Sequence, residues 1–321
     1  MAIIEVKPDG YNYLFNPENE PVAYVDPGDD VYMWTDDAAE SRIRTKENLP
    51  GNTLATVHFL NPQTGPIYVN GAERGDTLAI TIKDIEFTRD FAFSAFAEHF
   101  GAMSAVPMTM LQAPLKEHTW IWEKVDEKGD YWYEPELDIA IPKRPFLGTF
   151  AVAPDGESIS SLTPGPFGGN MDCPDICPGN TVYLPCYNDG GLFYTGDGHA
   201  AQGDGELCGF ALETTTKTHL VFDVIKGKRI TNPRIENDEK IMCVGSARPM
   251  EDACRMAYYE LIHWIHEDYG FSLEEAYQIC AQVGRCYVAN VVDTLWSMCA
   301  SVEKKYLKRC GGKPKVEDLN F

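Results

Sequence analysis

Thr77-Leu78-Ala79-Ile80-Thr81-Ile82-Lys83-Asp84-Ile85-Glu86-Phe87, entered through Gly75-Asp76, is the stretch on which the fold turns. Leu78, Ile80 and Ile82 recur with period two, so an extended chain puts all three on one face. After Asp84 the apolar set moves to Ile85 and Phe87, the phase change that a bulged residue produces. The same order, turn chemistry followed by residues suited to a pleated surface, occurs elsewhere. Pro27-Gly28-Asp29-Asp30 precedes Val31-Tyr32-Met33-Trp34, and Pro178-Gly179-Asn180 precedes Thr181 to Cys186. Phe210, Leu212, Leu220, Phe222 and Val224 mark further strands within 206–226. The first two-thirds of the chain is therefore mostly β.

The periodicity changes after Pro249. Cys254, Ala257, Leu261, Trp264 and Ile265 recur at helical spacing. Ser272-Leu273-Glu274-Glu275 is a capping box that opens a second helix, with Ala276, Ile279, Cys280 and Val283 as its buried stripe. Gly270 between them suits a helix C-cap. The expected architecture is α+β and mainly β. It is one unit over 1–321, with a β-rich body over 1–248 and a helical hairpin region over 249–290 packed on it.

The chain has 321 residues, 44% of them hydrophobic, enough for a core that needs no disulfide or metal to hold it. Its formal charge is −22, from 49 acidic and 27 basic residues. Such a surface repels phosphate, so neither nucleic acid nor an anionic membrane is an expected partner. No run approaches the ~20 apolar residues of a membrane span, and Met1 to Lys7 lacks the apolar core of a signal peptide. The ten cysteines, spread through a large chain, read as reduced thiols, which points to the cytoplasm.

Polar residues gather in two glycine-rich stretches, Gly168-Gly169-Asn170-Met171-Asp172 and Gly196 to Glu206. Three pairs stand two apart: Asn170/Asp172, Asp197/His199 and Asp204/Glu206. On extended backbone each pair projects from one face, and the intervening glycines let a ligand or another strand come close. Carboxylates with one imidazole form a ligand set for a divalent cation, zinc when His takes part and harder ions when oxygen dominates. A spare carboxylate, Glu206, would then be the general base. The competing explanation is that Gly and Asp alternate here because tight turns need them.

Other candidates carry less. His263 and His266, followed by Glu267, lie away from the apolar face of their helix and read as solvated. Cys173 and Cys177 flank Pro174 with no second cysteine pair nearby. His58, before the Asn61-Pro62 turn, reads as structural. The Phe91–Met108 segment, with Phe93, Phe96 and Phe100, reads as core packing or as the wall of an apolar pocket. There is no Gly-x-Ser-x-Gly elbow, phosphate loop, dinucleotide fingerprint or His-Glu-x-x-His, which lowers nucleotide chemistry and the common serine-hydrolase route.

Taken in order, five segments resemble the acetamidase/formamidase family across roughly 20–307. They are Asn61 to Val69 with Gly71 to Asp76, Phe167 to Asp172, Tyr183-Leu184-Pro185, Gly196 to Gly209, and Val244 to Pro249. The resemblance implies a β-sandwich-like body with added α/β elements, hydrolysis of short linear amides, homo-oligomers (a dimer or higher), and bound zinc, with calcium as well in some members. Carried over by position, Asp172, Asp197 and His199 become the metal ligands and Glu206 the base. Asn170 and Asp204 would orient the amide or the ligands, and Asp37 matches an acidic position that lines the site. Pro166 departs from the family's Gly-Arg-x-Gly-Gly-Asn pattern, and the region matching 88–140 is aromatic-rich here. Both departures bear on which amide fits. A γ-lactam is the alternative substrate, and a β-sandwich that binds a cation or small ligand without catalysis is the alternative class.

Overall fold

The computed structural model describes residues 2–103, 115–128 and 130–315. Two large open sheets dominate them. In the first, nine strands run in the order Ile3–Val6, Asp30–Thr35, Thr216–Ile225, Thr77–Phe87, Thr181–Pro185, Arg234–Glu236, Lys240–Ala247, Trp296–Glu303 and Arg285–Asn290. The deciding strand spans Thr77–Phe87, as its alternation requires. Its bulge falls at Lys83, where the pairing with Thr216–Ile225 slips between Ile82 and Asp84.

The second sheet follows the path Ile139–Pro142, Tyr131–Glu134, His118–Lys124, Phe91–Phe96, Leu212–Glu213, Phe193–Ala201, Phe146–Val152 and Gly168–Asn170. Gln63–Val69 also pairs with Phe193–Ala201, and Ala23–Val25 pairs with Gln63–Val69. Phe193–Ala201 is thus hydrogen-bonded on both edges, and all nine of its residues are buried. The part of the Phe91–Met108 segment from 104 onward lies outside the described residues.

The two sheets share a core. Val31, Met33, Leu78, Ile80, Leu220 and Phe222 of the first join Ile67, Phe150, Val152 and Phe193 of the second in one apolar cluster. On the other face of the nine-stranded sheet lie the helices Met250–Tyr269 and Leu273–Val283, joined by Gly270 in the left-handed region at φ 70°. The capping box forms: Ser272 accepts from the Glu275 amide, and the Glu275 carboxylate accepts from that of Ser272. Ala257, Leu261, Trp264, Ile265, Ala276 and Cys280 pack there against Ile241, Cys243, Ala300 and Val302. Covered on both faces, Lys240–Ala247 is buried almost throughout, as a strand with two apolar sides must be.

The helical region ends earlier than its expected limit at 290. Residues Arg285–Asn290 form an edge strand paired with Trp296–Glu303, and Gly284 closes the helix. All ten cysteines are free thiols. Among the described residues no helix is long and apolar enough to cross a membrane.

Candidate functional site

The site grows from the middle of Phe193–Ala201. Thr149 pairs with Gly196 and Leu147 with Gly198, so Gly148 lies opposite Asp197. A Cβ on Gly148 would sit 2.6 Å from Asp172 Oδ1 and 2.8 Å from the His199 ring, and closer still to the Asp197 carboxylate. The missing side chain is what lets these three groups converge. Asp172, Asp197 and Glu206 hold left-handed backbone at φ 45°, 60° and 49°, as does Asn61 at 53°. Each such position costs about 1–3 kcal/mol, comparable with the 1.5–3 kcal/mol gained on burying one large apolar side chain. The core around the strand offsets it.

Amide side chains fix one oxygen of each carboxylate and leave the other free. Asp172 Oδ2 accepts from Asn170 Nδ2 at 3.0 Å and Asn290 Nδ2 at 3.1 Å. Asp197 Oδ2 accepts from Asn61 Nδ2 at 3.2 Å. Asp172 Oδ1, Asp197 Oδ1 and both His199 ring nitrogens are buried with no hydrogen-bond partner. Buried polar atoms are rarely left so, and several gathered at one point are what a bound ion would satisfy. His199 Nε2 lies 3.3 Å from Asp197 Oδ1 and 3.4 Å from Glu213 Oε1. Asp172/His199/Glu206 and Asp197/His199/Glu213 each bring three donor atoms within 4.8 Å of one another. Imidazole nitrogen with carboxylate oxygen suits zinc, so the residues present fit a divalent cation.

The electrostatics agree. Burial pushes the Asp172 carboxyl well above its usual range, helped by Glu206, Asp293 and Asp197. Burial raises Glu206 strongly too; His199 opposes this and Asp293 adds to it. Glu213 rises to about 8 and Asp293 to about 7, each through burial. Burial alone would lower His199, but Glu213 and Asp197 lift it to about 10. Like charges crowd a dry site here, and a cation would relieve them.

Of the residues predicted from sequence, Asn170, Asp172, Asp197, His199 and Glu206 come together. Asp204 does not: it is exposed, because 202–211 is a turn rather than a strand and the Asp204/Glu206 pair shares no face. It lines a separate cavity of about 460 Å³ beyond Glu206. Asp37 is buried beside the site but is fully engaged elsewhere. Its Oδ1 accepts from the Ala39 and Ser41 amides at 2.9 and 3.0 Å, and its Oδ2 pairs with Arg89. Its place is to hold that arginine, whose Nη2 donates to the Glu213 carbonyl at 2.9 Å.

Four contributors escaped the sequence reading: Glu213, Asn61, Asn290 and Asp293. Glu213 carried a signal, being a charge directly after the apolar run Phe210 to Leu212. Asn61 was visible only as a turn residue. Asn290 and Asp293 lie about 120 residues from Asn170 and meet it only through the fold; Asn170 Nδ2 donates to Asp293 Oδ2 at 2.8 Å. Asn61, Asn170, Asp197, Glu206, Glu213 and Asp293 line a cavity of about 270 Å³. Cys173 and Cys177 are free thiols, and Cys173 lies with Asp175 and Cys299. His266 and Glu267 are exposed, as read.

A family model described as the Acetamidase/Formamidase family matches residues 3–163 and 99–303. A solved acetamidase from Yersinia enterocolitica is 39% identical, superposes with a TM-score of 0.90 and aligns over 96% of this chain and 93% of its own. An acetamidase from Bacillus halodurans gives 31% identity and a TM-score of 0.85 over 94% and 98% of the two chains. A formamidase from Methylophilus methylotrophus is 26% identical over 68% of this chain, and the match spans 66% of that relative's length.

Proposed function

From the premise that the chain belongs to the acetamidase/formamidase family, we propose that it hydrolyses a linear amide to a carboxylate and ammonia. The reaction takes place over Asp172, Asp197, His199 and Glu206. The observation that carries this is the set of unpartnered ligand atoms, Asp172 Oδ1, Asp197 Oδ1 and the His199 nitrogens, gathered next to a buried carboxyl at the wall of a cavity.

Asp172, Asp197 and His199 would hold a divalent cation, zinc by their chemistry, with calcium as the oxygen-preferring alternative. Such an ion supplies Lewis acidity, which polarises a carbonyl and lowers the pKa of water towards ~7. The chain's own groups do the rest. Asn61, Asn170 and Asn290 hold one oxygen of each carboxylate, so that the other is left free for the cation. Glu206, a carboxyl raised by burial, takes the proton from the attacking water and returns it to the departing nitrogen, so ammonia rather than amide anion leaves. Asn170 sits at the cavity wall beside Asp293, where it orients these groups.

The test is ammonia release from formamide, acetamide and a γ-lactam offered to the purified protein. Turnover of the open-chain amides is the expected result. Opening of the ring alone transfers the assignment to cyclic amides, and cation uptake with no ammonia from any of them leaves a binding protein. A cytoplasmic homo-oligomer completes the proposal, and light scattering of the purified protein reads the subunit number.

A further inference from the structure

The cavity over the cluster is larger and more apolar than formamide or acetamide requires. Asn61, Asn170, Asp197, Glu206, Glu213 and Asp293 form its polar wall, and Glu98 and His99 also line it. The rest includes Leu54, Leu60, Ala97, Phe100, Leu162 and Phe210. An apolar cavity of about 150 Å³ accommodates benzene. About 270 Å³ therefore has room for a ring together with a carboxamide head. The apolar side is built rather than incidental. The Phe100 and Phe210 rings meet edge to face, with centroids 5.7 Å apart. The Ala102 amide donates to the Leu207 carbonyl at 2.8 Å, which ties the segment bearing Phe100 to the loop bearing Glu206 and Phe210. Phe100 also lies over Gly209, where any Cβ would collide with its ring.

We propose that the preferred substrate is a primary amide with a ring-sized apolar acyl group, an arylacetamide, whose head lies over Asp197 and Glu206 and whose ring packs between Phe100, Phe210, Leu60 and Leu162. This rests on the amide hydrolysis proposed above. Each methylene removed from water is worth about fourfold in affinity. A ring in place of a hydrogen of acetamide therefore raises kcat/KM by about tenfold or more.

The experiment compares kcat/KM for phenylacetamide and acetamide by ammonia release, for wild type and for two cavity variants. Calorimetric titration with phenylacetate and acetate reads the same preference without turnover. The expected ratio is about ten or more in favour of phenylacetamide. Leu162→Trp, which fills the space, cuts it at least about tenfold, and Phe100→Ala lowers it by removing a wall. Acetamide turned over as well as phenylacetamide, or a ratio that neither variant moves, overturns the substrate class and leaves amide hydrolysis standing. No ammonia from either amide overturns both.

Discussion

Two groups of buried charge are built in opposite ways. On the helix Met250–Tyr269, Glu260 faces Arg234 of the nine-stranded sheet, and each is 2% exposed. Arg234 Nε donates to Glu260 Oε1 at 2.7 Å, and Thr231 donates its hydroxyl and amide to Oε2. Glu267 takes a second guanidinium nitrogen at 3.1 Å, and the Trp264 ring lies 5.1 Å from the guanidinium carbon. Charges there are opposite and paired, although Arg234 Nη1 is left without a hydrogen bond. In the other sheet Asp172, Asp197, Glu206 and Glu213 crowd one imidazole, and the atoms aimed inward are unanswered. In a buried pair the attraction offsets much of the desolvation, and losing one partner is strongly destabilising, whereas a convergent unpaired set costs stability as it stands. That second arrangement is the one a bound cation would complete, as proposed above.

The contrast predicts separable losses. Glu206→Gln lowers ammonia release by about 10²–10⁴-fold, the usual worth of a general base, while thermal unfolding shows a melting temperature no lower than wild type. Glu260→Ala does the reverse. It leaves Arg234 buried without its carboxylate and costs about 3–5 kcal/mol in denaturant unfolding, with turnover per folded molecule retained. If Glu260→Ala proved stable and inactive, the two regions would not differ as described.

Asn61→Ala frees Asp197 Oδ2 and lowers metal affinity or activity by about 10–100-fold, measured by titration with a competing chelator. The smallest effect comes from the Asp76 turn. Burial alone would raise that carboxyl, but Lys226 at 2.6 Å and the Gly227 and Glu73 amides hold it below its usual value. Its folded pKa is depressed, so its contribution is present above the unfolded value and lost as pH falls through the folded one. Lys226 is half exposed and screened. Asp76→Asn should therefore lower Tm by no more than about 2 °C at neutral pH, with the gap closing below about pH 4.

The strands and helices were legible because their signals are local. Thr77–Phe87 alternates, and Ser272 to Glu275 caps itself. The edge strand Arg285–Asn290 was not, since it follows a helix with only Gly284 between and is fixed by pairing with Trp296–Glu303. In the site, Asp197 and His199 were readable as neighbours on one strand. Asp204 misled for the same reason, because two-residue spacing places side chains on one face only where the backbone is extended. Gly148, Asn61 and Asp293 have no local signature; their roles exist only once three segments are side by side.

The most direct test is elemental analysis of the purified protein with ammonia release measured before and after chelation. We predict stoichiometric divalent metal, zinc first, with activity lost on its removal and restored when zinc is returned. Full activity in a protein stripped of metal would contradict the account.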